Sequence, residues 1–309
     1  MLEEVAVQAM VVGGVLLTCF VGPLIAIFFM RRRKQRVRAQ RLSPLVSDLL
    51  RGAGHSVRVE LDDAVDDVFA DLLLLFIVPL LVLAMFLAQG HWRGMASMIH
   101  VAPLYAAGAA MFIFYGVRKL LKTGVRLDNL KAGYDAEVAV GQELDQLARA
   151  GAIVYHDVPA ENFNIDHVVI APAGVFAIET KGYTKLRDLP GLAKATVIFD
   201  GKTLRFPLWT GSEPLEQSER QARWLAQWLS SAVGDVVHVQ PVLALPGWFV
   251  ERTGRGGVLV VSGKELPWLL KHRGPQWLSE QDVQRAAHQI DQRCRTVVPR
   301  YRADEEKAT

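Results

Sequence analysis

Residues 5–30 carry no charged side chain, and a run of that length dictates the solvent it folds in. About 20 apolar residues cross the hydrocarbon core of a bilayer as a helix, which satisfies all its main-chain polar groups internally. Two further apolar runs follow at 68–88 and 95–117, separated by a short polar stretch at 89–94. The first of these holds Pro79 near its middle, which a membrane helix tolerates as a kink. The sequence therefore predicts three transmembrane helices, with the last two able to form a helical hairpin. Arg31-Arg32-Arg33-Lys34 follows the first run, and Arg118, Lys119, Lys122 and Arg126 follow the third. Lys and Arg mark the cytoplasmic ends of spans. Both flanks thus predict one topology, with the N-terminus outside and everything after residue 117 in the cytoplasm. The leader Met1-Leu2-Glu3-Glu4 is acidic, unlike the basic start of a cleavable signal peptide. The expected location is a bacterial cytoplasmic membrane, with the lipid bilayer as a partner.

Residues 31–67 form a polar segment on the cytoplasmic side. Its basic block suits anionic headgroups, as a topology anchor, better than nucleic acid. Glu60, Asp62, Asp63, Asp66 and Asp67 recur at helical spacing beside Leu61, Val65 and Val68, the pattern of a solvated helix face rather than a cation site. A net charge of +3 over 309 residues excludes a strongly basic polyanion binder as a description of the whole chain. Cys19 and Cys294 lie in unlike contexts, so no disulfide is expected, which fits a reducing compartment.

From residue 127 the composition becomes that of a soluble α/β domain, expected over 127–275, with a C-terminal helix and disordered tail over 276–309. Residues 135–150 have helical periodicity, with Val138, Leu144, Leu147 and Ala148 apolar and Gly151 as the stop. Residues 152–158 read as a strand. Residues 196–199 and 203–206 flank Asp200-Gly201, a two-residue turn signal. Residues 212–232 read as a helix with Gln217, Gln221, Trp224 and Trp228 along it. Further strands are expected at 236–245 and 257–261, and helices at 265–271 and 281–294. Ser279 and Asp282 carry the spacing of an N-terminal cap for the last helix.

The polar chemistry of this domain collects on one hairpin. In residues 164–183, the apolar runs Val168-Val169-Ile170 and Val175-Phe176-Ala177-Ile178 flank Pro172-Ala173-Gly174. Asp166 lies on one strand, Glu179 and Lys181 on the other. With Ala173-Gly174 as the loop, Asp166 faces Lys181, and alternation puts Asp166, Glu179 and Lys181 on one face. A slip of one residue moves Asp166 to the opposite face. Two carboxylates on neighbouring strands make a hard oxygen site suited to Mg2+ or Mn2+. A lysine beside them can orient water and offset phosphate charge. Glu137, on the preceding helix, is the candidate for one more acid or base. The spacing alone also fits a salt bridge of Lys181 with Asp166 or Glu179. Lys185, Arg187, Lys194, Lys202 and Arg205 are candidate phosphate contacts. His156, Asp157 and His167 read as structural, since alternation turns His167 away from Asp166.

Five segments carry a family resemblance. They are Gly133-Tyr134-Asp135-Ala136-Glu137, His156-Asp157-Val158, Asn164-Ile165-Asp166-His167-Val168-Val169, Gly174-Val175-Phe176-Ala177-Ile178-Glu179-Thr180-Lys181 and Pro214-Leu215-Glu216-Gln217. Together they resemble the NERD (nuclease-related) domain of the PD-(D/E)xK nuclease superfamily, over residues 130–250. The resemblance implies a restriction-endonuclease-like mixed sheet flanked by helices. It implies Asp166 and Glu179 as metal ligands, helped by the Thr180 carbonyl, and Lys181 as the catalytic lysine. Glu137 matches the acidic residue of the first helix. Gln217 matches a later-helix glutamine that contacts a phosphate or orders the site, the alternative being a helix N-terminal residue with only local hydrogen bonds. The chain departs from the pattern at Gln142-Glu143, and in the later helix, where Arg220 and Arg223 stand among Glu213, Glu216 and Glu219. The implied activity is metal-dependent hydrolysis of phosphodiesters in nucleic acid, DNA rather than RNA, at the membrane. Its alternative is a catalytically inactive NERD-like module that binds nucleic acid or protein there. A sensor or transporter role for the spans ranks last, because they hold little polar chemistry.

Overall fold

The computed structural model describes residues 14, 25–33, 36–37, 41, 43–185, 195–266 and 276–299. The chain divides into two compact units, one containing Asp62–Leu127 and the other formed by Ser47–Leu61 and Asp128–Pro299.

Three helices supply the first unit: α1 (His55–Arg93), the short α2 (Met95–Met98) and α3 (Ala102–Asp145). α1 begins at His55, so the acidic face and the second apolar run share one helix rather than a loop and a span. α3 continues past residue 127 to Asp145, so the helix predicted to begin at 135 is the end of a longer one. No proline follows Pro103 in that stretch, and isolated Gly124 and Gly133 weaken a helix without ending it. Within the unit, Asp71 meets Lys119 at 2.7 Å, Leu75 lies against Gly116, and the Phe86 and Tyr105 rings sit 5.4 Å apart. Positions climb in α1 as they fall in α3, which is an antiparallel hairpin. Phe69, Phe76, Leu104 and Met111 are exposed. α1 and α3 are each long and apolar enough to cross a membrane, with mean hydropathy of 2.8 and 1.3 in their most apolar stretches. Among the described residues there are two such helices, not three; the first predicted span, 5–30, lies mostly outside them.

The second unit is an α/β domain with three sheets among the described residues. In chain order its strands are β1 (Leu49–Leu50), β2 (Ile153–Pro159), β3 (Asn164–Ala171), β4 (Gly174–Thr180) and β5 (Thr196–Phe199). There follow β6 (Leu204–Arg205), β7 (Thr210–Gly211), β8 (Val239–Leu245), β9 (Phe249–Arg252), β10 (Leu259–Ser262) and β11 (Arg295–Val297). The helices are the end of α3, α4 (Glu213–Val233) and α5 (Glu280–Cys294). The main sheet has the order β10-β8-β4-β3-β2. β2, β3 and β4 pair antiparallel, whereas β4–β8 and β8–β10 pair parallel, so the sheet is mixed as expected. A four-stranded sheet, β7-β6-β5-β9, lies beside it, and β9 is absent from the sequence-based expectation. The smallest sheet is the antiparallel pair β1–β11.

Both faces of the main sheet are covered, which explains the unbroken apolar runs of β3 and β4. Val168, Ile170, Val175 and Ala177 pack on Ala222, Leu225 and Leu229 of α4 and on Ala286 and Ile290 of α5. Val169, Phe176, Ile178 and Val242 pack on Val140 and Leu144 of α3. The cap predicted for α5 is present as a full capping box between Ser279 and Asp282.

Two turns differ from expectation. The β3–β4 loop is Pro172-Ala173, with Ala171 paired to Gly174, not Ala173-Gly174. Proline at the second position and glycine at the fourth are the residues a type I turn favours. The register is therefore offset by two, an even step that preserves the side-chain alternation. Continued outward, it sets Asp166 opposite Glu179 rather than Lys181. The β5–β6 hairpin turns over Gly201-Lys202, one residue later than predicted, because the Asp200 carboxylate accepts the N–H groups of Lys202 and Thr203.

Candidate active site

β3 and β4 part company at Asp166. Their ladder ends at His167 and Ile178, while β4 continues along β8 through Thr180 and the Lys181 N–H. The Thr180 N–H donates instead to the Asp166 side chain, at 2.6 Å. A carboxylate thus replaces a main-chain carbonyl at the end of the hairpin.

Next to it, Glu179 is only 3% exposed. A carboxylate so buried requires donors, and it has three. Lys181 Nζ lies 2.7 Å and Gln217 Nε2 2.8 Å from Oε1, and Gln221 Nε2 lies 2.5 Å from Oε2. Gln217 Oε1 accepts in turn from Lys181 Nζ at 3.0 Å, closing a three-membered ring of contacts. Gln217 and Gln221 are one turn apart on α4 and so share a face. Gln221 also donates to the Asn164 carbonyl at 3.2 Å, joining α4 to the start of β3.

Electrostatics follow from this crowding. Burial, then the charges of Glu179 and Glu137, hold the Asp166 carboxyl well above the usual carboxylate range. Burial, then Asp157 and Glu179, push Glu137 up to about 7. Burial acts to lower the Lys181 pKa, but the charge and hydrogen bond of Glu179 outweigh it, and the ammonium is held more firmly than usual.

The structure therefore brings Glu179, Lys181 and Gln217 into direct contact, with Asp166 and Glu137 close enough to act on them by charge. Gln221 was not among the sequence candidates, although its position four residues after Gln217 was a usable signal. Asp157 is buried with φ 49° and is held by Arg51 Nη1 at 3.0 Å and Ser56 Oγ at 2.8 Å. His156 and His167 join through their Nδ1 atoms at 2.8 Å, and His156 Nε2 reaches Asp145 at 3.0 Å. Lys185 donates to the Gly247 carbonyl. Arg187 and Lys194 lie outside the described residues.

Among the described residues, no three His, Cys, Asp or Glu side chains converge as a ready metal-binding group. Mg2+ needs less than that, because it keeps several waters and takes one or two carboxylates plus substrate oxygens. Asp166, Glu179 and Glu137 gather carboxyl oxygens around the ammonium of Lys181, and burial first, then their mutual charges, raises the Asp166 and Glu137 pKa values. The donor chemistry therefore fits a hard divalent cation.

Residues 132–246 match the family model of the nuclease-related domain, NERD. The match begins within α3, ends one residue past β8, and takes in Glu137, Asp166, Glu179, Lys181 and Gln217. The resemblance read from the five sequence segments is thereby borne out over this stretch, on an α/β domain of mixed sheet and flanking helices. No curated protein and no solved structure matches the chain.

Proposed function

We propose that this domain is a membrane-tethered nuclease that hydrolyses phosphodiester bonds of DNA with Mg2+ or Mn2+, on the cytoplasmic side of the bilayer. The observation that carries the reading is the Glu179–Lys181–Gln217 contact set beside Asp166, inside the stretch that matches a nuclease-related family. Asp166, Glu179 and the Thr180 carbonyl are the groups that would hold the cation. When bound, it supplies Lewis-acid polarisation of the phosphoryl oxygen and a more acidic water. Lys181, kept charged by Glu179, offsets the negative charge of the phosphate and orients the attacking water. Gln217 fixes the Lys181 ammonium and the Glu179 carboxylate relative to one another, and its role in this reading is to order the site or to meet a phosphate oxygen. Glu137, titrating near neutrality, is able to take or return a proton at working pH.

The test uses the full chain purified in detergent. Mg2+-dependent cleavage of DNA is expected, with a loss of at least about 100-fold in Asp166→Asn and in Lys181→Met. Asparagine is the chosen substitution because it still accepts the Thr180 N–H. Undiminished cleavage in both variants would overturn the assignment. A second reading, a catalytically inactive module that binds nucleic acid or protein, is favoured by one fact: both Glu179 oxygens already have side-chain donors. Salt-sensitive DNA binding without turnover in Mg2+ or Mn2+, unchanged by Glu179→Gln, is its signature.

A further inference from the structure

Four aromatic rings gather immediately beyond the lysine. Tyr183 lies two residues after Lys181, and its ring stands 5.1 Å from Phe206 and 5.2 Å from Trp209. Phe206 and Trp209 stack at 4.5 Å with planes 17° apart, and Trp248 meets Phe206 edge-on at 5.0 Å. Phe206 and Trp248 are buried and belong to the core of the four-stranded sheet. Trp209 is different: it is 37% exposed, and its neighbour Leu208 is 70% exposed. A tight turn, closed by the Phe206 N–H donating to the Trp209 carbonyl at 2.8 Å, carries both on the rim. Gly211 supports the ring, since a Cβ there would stand 2.9 Å from it.

Cations accompany the cluster: Lys181 lies two residues before Tyr183, and the Lys185 ammonium sits 5.7 Å from the Trp248 ring centre. Burial, opposed by Lys181 and reinforced by Glu213 and Glu179, raises the Tyr183 hydroxyl pKa, so the ring that touches Phe206 and Trp209 also feels the charges of the acidic site. Stacking faces beside backbone-neutralising cations are what single-stranded nucleic acid binds.

We infer that Trp209, backed by Phe206 and Tyr183, is a stacking platform for an unpaired base next to the scissile phosphate, so that the substrate is DNA single-stranded at the cut. This rests on the phosphodiesterase reading above. The Trp209 ring has one face stacked on Phe206 and is 37% exposed, so a base laid on it gives up a stacking partner of its own. A base inside a duplex has both faces covered and cannot do this without being extruded.

The experiment measures binding by the full chain in detergent, with Ca2+ replacing Mg2+ to hold the complex without turnover. Three fluorescent probes are used: a single strand, a blunt duplex of the same sequence, and a fully abasic strand of the same length. Wild type is expected to favour the single strand over both others. Trp209→Ala should weaken single-strand binding about 10-fold while leaving the abasic strand within about twofold. Trp209→Phe should restore most of the loss, which separates stacking from misfolding. Equal losses for base-bearing and abasic strands, or no loss at all, overturn the platform while leaving nuclease activity in Mg2+ as a separate result. A wild-type chain that neither binds nor cleaves any DNA overturns both readings.

Discussion

A buried carboxylate with three donors is a fixed object, and its cost appears when one donor is removed. Gln221→Leu takes the amide from Glu179 Oε2 and is expected to destabilise the domain by about 1–3 kcal/mol, read by urea unfolding. Glu137 behaves oppositely. Its native pKa of about 7 lies above its ordinary value of 4.5, so the folded state binds more protons between those two values. Stability contributed at this residue is therefore greatest below that window and declines as pH rises through it. In buffer without divalent cation, Glu137→Gln should match wild type near pH 4 and exceed it at pH 8, on the order of 1–3 kcal/mol. A variant less stable at pH 8 would contradict the burial argument. These residues differ in how far the sequence reveals them. Asp166, Glu179 and Lys181 are legible from alternation on one hairpin, and Gln217 from its family segment. Arg51 and Ser56 are not, because their partner Asp157 lies 106 and 101 positions further along the chain, where no periodicity reaches.

Elements show the same division between local and distant causes. β3, β4, α4 and α5 announce themselves by apolar period and caps. The loop between β3 and β4 was displaced because glycine drew the turn to itself, whereas Gly174 occupies the first strand position with φ 134° and proline sets the turn. β9 is short and exposed at three of its four residues, and only its parallel pairing with β5 makes it a strand. At this scale the site depends on how closely α3 approaches the end of β4. A Cβ on Gly182 would stand 2.5 Å from the Ala132 carbonyl oxygen and 2.8 Å from the Ala136 Cβ. Gly182→Ala must push the helix away or twist the chain after Lys181. The expected result is a loss of about 1–3 kcal/mol in stability together with reduced cleavage. Wild-type values of both would show that the contact is slack.

For the molecule as a whole, the balance is between two solvents. α1 and α3 have the length and apolar composition to span a membrane, whereas the second unit buries its own apolar core around the main sheet. Integral insertion predicts that the protein stays in the membrane pellet through alkaline carbonate washing and leaves it only with detergent. The basic flanks predict that protease added to sealed inside-out vesicles degrades the α/β domain, and that protease added to right-side-out vesicles spares it. Release by carbonate alone would remove the membrane-tethered part of the proposal while leaving the chemistry of Glu179 and Lys181 in place.

The substitution of a side chain for a main-chain acceptor at the end of the β3–β4 hairpin has a spectroscopic consequence. The Thr180 amide proton points at Asp166, so its chemical shift follows the charge carried by that carboxylate. In a labelled sample, one resonance would track the titration of Asp166 and its response to added Mg2+, independently of turnover, and so serve as an internal voltmeter for the site.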